Sequence, residues 1–262
     1  MCGFVLSAQG DAFSIVKTWA NRELLVCDEW QQGDYGFVTI QLDRNIGEEW
    51  AFSHKVAELI LDHLRRHWIR RFLWVYYAFF DLVEQRVISD RAWEILGDKL
   101  EVEKIHEQTA LCVYDWVEDS TELIVDGFTR FRLPWFWIML QEAVDQSVDV
   151  FLLEKEFNEF IRLLRYFVDM QEPRTSVVHI LPGVSNSVEL VDGAGNTVQQ
   201  EYVEQTAYYF EDLIVSALVN MAPRRIIIHV SQQSDIVNII SKVFTERVRV
   251  CTGCPLCQGK TP

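Results

Sequence analysis

No part of this 262-residue chain is apolar for long enough to cross a bilayer. The longest suspect run, Phe72 to Val83 (FLWVYYAFFDLV), covers 12 residues and contains Asp81, whereas a spanning helix needs about 20 apolar residues. It is expected to be a buried core helix. An export signal is also lacking, because the start Met-Cys-Gly-Phe-Val-Leu-Ser has no basic region and too short an apolar one. Positive charge is in deficit: 24 Lys and Arg stand against 39 Asp and Glu, a net charge of −15. Such a surface repels nucleic-acid phosphate and anionic lipid at long range, so no nucleic-acid partner is expected. The glycine-rich dinucleotide and phosphate loops, the HExxH zinc motif and the GxSxG nucleophile motif are all absent. No internal repeat or low-complexity tract appears either.

Apolar residues make up 49% of the chain and charged residues 24%, the balance of a globular protein. The length suits one large or two small domains. Nine Trp, eight Tyr and 16 Phe require extensive burial. The six cysteines, Cys2, Cys27, Cys112, Cys251, Cys254 and Cys257, read as thiols or metal ligands rather than disulfides in a chain without an export signal. The expected setting is intracellular.

The patterning is that of an α+β protein. Phe4-Val5-Leu6 suits a strand, Asp11 to Ala20 a helix, and Tyr35 to Leu42 a strand after the Gln-Gln-Gly-Asp turn signal. Between Trp50 and Leu96 the period is helical, with Val56, Leu59, Ile60 and Leu64 on one face. Pro134 fits a first helical turn. Neither Gly nor Pro follows until Pro173, so Trp135 to Gln171 forms one long helix or two, stopping at or before Glu172. Phe157, Phe160, Ile161, Leu164, Phe167 and Val168 make an apolar stripe on it.

The character changes at Pro173, which divides the chain into a region 1–172 and a C-terminal α/β region 173–262. Strands are expected at Val177 to Leu181 and Val188 to Val191, with a tight turn at Asp192 to Asn196 leading to Val198. A helix from Val203 to Met221 ends before Pro223. Ile226 to Val230, a helix over Ser234 to Phe244, and Arg247 to Cys251 then form a βαβ unit with parallel strands.

The sharpest chemical signal is Cys251-Thr-Gly-Cys254-Pro-Leu-Cys257. Three thiols at this spacing can converge on one ion, and both Zn²⁺ and an iron–sulfur cluster want four ligands. The fourth could be His229, His179, Cys27, Cys112, a small molecule or a partner. His229 stands out, since it follows the strand before the crossover helix and Cys251 closes the strand after it, at one sheet edge. Two other features carry alternative readings. His63 to Arg71 packs four Arg and two His into nine residues, either as an anion patch or as a face paired with the acidic segment Glu84 to Asp126; the second is favoured. Cys2 after Met resembles the start of class II glutamine amidotransferases, but their Asn-Gly pair does not occur here.

Phe131-Arg132-Leu133, Glu156-Phe157, Phe160-Ile161-Arg162-Leu163-Leu164, Gln171-Glu172-Pro173, Val178-His179-Ile180, Ser216-Ala217-Leu218, Ala222-Pro223 and Arg247-Val248 occur in an order and spacing that resemble the YtxC-like family of endospore-forming bacteria. The resemblance implies an association with sporulation and a bacterial cytoplasmic setting, and no catalytic residues; together with the lack of a complete catalytic constellation it points to a non-catalytic interaction or regulatory factor with a protein partner. The cysteine proposal rests on this chain's own residues.

Overall fold

The structure, a computed structural model, describes residues 3–43, 45–100, 103–182, 188–198, 210–229 and 235–258. Cys2, residues 203–209 of one expected helix, Val230 and Ser234 lie outside them. The chain divides into two compact units, Met1–Leu152 and Leu153–Pro262.

The first unit begins with β1 (Gly3–Gln9), α1 (Asp11–Glu23), β2 (Val26–Gln32) and β3 (Tyr35–Gln41). Gly33, with φ 60°, takes the first loop position of the β2–β3 hairpin, a backbone region closed to most side chains. β3 pairs antiparallel with β1, and Gly36 is needed there because a side chain would collide with the Phe13 ring of α1. Helix α2 (Ile46–Glu58) is capped by Asn45, whose side chain accepts the Glu48 N–H at 3.0 Å. It runs through a π-helical turn (Leu59–His63) into α3 (Arg65–Tyr76). The expected apolar face Val56, Leu59, Ile60 and Leu64 is fully buried.

Then come α4 (Leu82–Leu100), α5 (Glu103–Asp119), β4 (Glu122–Ile124), α6 (Val125–Arg132) and α7 (Pro134–Met170). β4 joins β1 in parallel and completes the sheet order β2-β3-β1-β4. Phe4, Leu6, Val38 and Ile40 of the sheet share one core with Trp68, Phe136 and Leu140 of the helices.

α7 is one continuous helix of 37 residues, about 55 Å long. Pro134 opens it, and it ends two residues before Glu172. Phe136 is buried, with Trp135 and Trp137 packed against the first core. The stripe from Phe157 to Val168 is divided: Ile161 and Val168 are buried in the second core, Leu164 packs against it, and Phe157, Phe160 and Phe167 are exposed.

One expectation is corrected. Phe72 to Val83 is not a buried core helix: α3 ends at Tyr76, α4 starts at Leu82, and Trp74, Val75, Tyr76, Phe79, Leu82 and Val83 are exposed. The break falls where Asp81 accepts the Val83 and Glu84 N–H groups at 2.8 and 2.9 Å, capping a new helix inside the apolar run. No described helix is long and apolar enough to cross a membrane.

In the second unit, β5 (Val178–Pro182) and β6 (Val188–Asp192) pair antiparallel. α8 (Phe210–Met221), β7 (Ile226–Ile228), α9 (Asp235–Val243), β8 (Val248–Val250) and the single turn α10 (Pro255–Gln258) follow. The sheet order is β6-β5-β7-β8, with β5, β7 and β8 parallel. Val178, Ile180, Ile226 and Ile228 face a core completed by Ile214 and Leu218 of α8, Ile240 and Val243 of α9, and Ile161 and Val168 of α7. Arg247 closes this unit, donating to the Val168 carbonyl at 2.8 Å and to the Pro223 carbonyl at 3.2 Å. The first of these carbonyls lies in the last turn of α7, where a cation complements the helix dipole.

A candidate metal centre on the C-terminal sheet

Side chains alternate across a strand, so the residues between the core positions of β5, β7 and β8 lie on the other face. His179 is paired with Ile227, and His229 lies two residues beyond Ile227. Its N–H donates to the Ile180 carbonyl at 2.8 Å, extending the β5–β7 ladder. Cys251 continues β8 in the same way, its N–H donating to Ile228 O at 2.9 Å. His179, His229 and Cys251 thus occupy one face, on three neighbouring parallel strands.

The chain then turns back. Gly253 has φ 130°, and its N–H donates to Cys251 Sγ at 3.4 Å. This turn brings Cys254 Sγ to 3.6 Å from His229 Nδ1. Among the described residues, His229, Cys251 and Cys254 form the one group of potential metal ligands whose donor atoms all lie within 4.8 Å of one another. Zinc arms of about 2.0 Å to nitrogen and 2.3 Å to sulfur, in a tetrahedron, put N and S about 3.5 Å apart. The observed separation matches.

The other ring nitrogen of His229, Nε2, lies 2.9 Å from His179 Nδ1. Burial, and then the neighbouring His179, push the His229 pKa below its ordinary value. Both favour the neutral imidazole, the form that binds metal. Cys257 lies in α10, three residues past Cys254; its side chain is outside the described residues. Cys27 is exposed on β2, and Cys112 packs against the first core on α5. Burial, followed by Asp115, raises the Cys112 thiol pKa, which favours a packing role over a thiolate one.

The basic segment of α3 is largely accounted for inside the first unit. Arg65 is buried with its guanidinium 4.2 Å from the centre of the Trp93 ring. Arg66 pairs with Asp90 at 3.0 Å, and Arg71 with Asp126 at 3.5 Å. The two acidic partners come from the segment 84–126, so the compensated reading holds for Arg66 and Arg71, whereas Arg65 is buried against an aromatic ring. Arg70 is exposed and borders a cavity of about 750 Å³ beside the first turn of α1. That cavity is lined by charges of both signs, with Asp11 and Asp34 beside Arg66, Arg70 and Arg71.

The sequence profile of the YtxC-like family matches residues 51–249. The chain is similar to the "Uncharacterized protein YtxC" of Bacillus subtilis (strain 168), 24% identical over 187 residues, with 66% of each chain covered. It therefore spans just under two thirds of that relative's length. No solved structure matches. The profile match contains His179 and His229 and ends two residues before Cys251.

Proposed function

This chain belongs to the YtxC-like family, and from that premise we propose that it is a non-catalytic, sporulation-associated factor whose C-terminal unit is closed by one zinc ion. The ligands are His229, Cys251, Cys254 and Cys257. The observation that carries the metal reading is the convergence of imidazole and two thiols, with Cys254 Sγ 3.6 Å from His229 Nδ1. A single ion explains this better than an iron–sulfur cluster, which spreads its ligands over several irons and so holds them farther apart. Four protein donors leave no open position for water or substrate, so the ion works as a structural clamp and not as a Lewis acid. The sporulation role and the expectation of a protein partner are supported by the family resemblance. The cytoplasmic setting is likewise supported by the family resemblance.

Elemental analysis and a visible spectrum of the untagged chain, purified anaerobically, test the metal reading. One zinc per chain with no visible absorption is expected. A brown protein containing iron and sulfide would replace zinc by the cluster. Metal-free protein with all three terminal thiols titrating freely would remove both. For the cellular role, a pull-down from sporulating cells should recover a stable partner, and an empty one counts against it.

A further inference from the structure

The sheet that builds the cysteine–histidine group also supplies a second imidazole, and its geometry gives that residue a distinct task. His179 Nδ1 lies 2.9 Å from His229 Nε2, with ring centroids 5.2 Å apart and ring planes 31° from parallel. On the far side of the His229 ring, Nδ1 faces Cys254 Sγ at 3.6 Å. A neutral imidazole has one N–H and one lone pair, so the nitrogen that binds an ion fixes the proton on the other. We propose that His179 is a positioning residue: it accepts the Nε2–H of His229 and thereby presents Nδ1 to zinc. This rests on the zinc reading above and adds the atom of attachment and the residue that secures it.

The placement follows from strand register. His179 pairs with Ile227 in the parallel β5–β7 ladder, so His229, two residues on, is its diagonal neighbour on the same face. Long side chains at diagonal positions reach each other, and here they meet nitrogen to nitrogen. His179, using Nδ1 as acceptor, carries its own proton on Nε2 when neutral, so the two tautomers fix one another. An ion on His229 Nδ1 is separated from His179 by the full width of the His229 ring. His179 therefore stands behind the ligand and is not itself the fourth donor. Outer-shell partners that hold a ligating histidine typically contribute about tenfold to hundredfold to metal affinity.

The test uses the full chain with Zn²⁺ competed against a chromophoric chelator, and with Co²⁺ as a spectroscopic stand-in. His179→Leu removes the acceptor, while His179→Asn keeps an oxygen where Nδ1 stood. His179→Leu should weaken zinc about tenfold to hundredfold, with one ion still bound and the Co²⁺ ligand-field bands keeping their tetrahedral intensity. His179→Asn should recover most of the loss. In the metal-free chain, ¹⁵N shifts should show His229 held as the Nε2–H tautomer, and a tautomer mixture in His179→Leu. A His179→Leu affinity within about twofold of wild type, or a His229 found as Nδ1–H, overturns the role. Loss of the tetrahedral Co²⁺ bands in His179→Leu also overturns it, by making His179 a ligand. Failure of the underlying reading looks different: a wild-type chain that binds no zinc while His229 stays Nε2–H removes the metal and the orienting role together.

Discussion

Both units are built on a four-stranded mixed sheet: in the first, three antiparallel strands take on one parallel edge strand, and in the second, a hairpin is extended by two parallel strands. The first surrounds its sheet with long helices and buries aromatic side chains as large as Trp68, Phe4 and Phe136. The second has a smaller described core, largely Ile, Val and Leu with Phe244 as its one aromatic, and that core covers one face of the sheet. On the other face stand His179, His229 and Cys251. The difference is physical. The first unit is held by extensive apolar packing, and in the second the proposed ion would add a staple to the packed face.

Removing the staple should give the largest effect. With free zinc at about a thousand times its dissociation constant, linkage stabilises the folded form by about 4 kcal/mol. Chelation should therefore lower hydrogen-exchange protection of β7 and β8 while leaving β1 and β3 unchanged; an equal loss in both sheets would erase the contrast. Phe4→Ala strikes the other side, because Phe4 is fully buried and packs edge-on to Phe52 at 5.3 Å. It should cost about 3 kcal/mol in denaturant unfolding without changing zinc affinity. Arg247→Ala, which frees the Val168 and Pro223 carbonyls, should cost the second unit about 2 kcal/mol; a variant as stable as wild type would show that these bonds only replace water.

The smallest effect concerns pH and the first unit. Burial lowers the His67 pKa, opposed by Asp126 and Asp11 and reinforced by Arg71. As pH falls through the ordinary histidine value near 6.5, the unfolded chain takes up a proton that the folded one resists, so stability declines on the acid side. His67→Gln should flatten that decline slightly. A steeper acid loss in the variant would reverse the assigned direction.

Much of this was legible from residue patterns. α7 begins at Pro134 and ends before Glu172 because proline excludes itself from the helix interior and restrains the residue before it. The βαβ unit was readable from three short, strongly apolar segments, which put His229 and Cys251 together. β2 was not anticipated, since Val26–Gln32 is a mostly exposed edge strand with no apolar alternation, held by main-chain pairing to β3. β4, at three residues, is too short to show a period. The exposure of Trp74, Tyr76 and Phe79 escaped notice because composition reports how apolar a run is and not whether a helix breaks within it. His179 was already a candidate fourth donor. Only strand register distinguishes a ligand from the residue that holds one.

Zinc K-edge X-ray absorption on the stoichiometrically loaded full chain tests the clamp most directly. The account predicts three sulfur scatterers at about 2.3 Å and one nitrogen at about 2.0 Å. A first shell of oxygen and nitrogen alone, or no tightly held zinc, would contradict it.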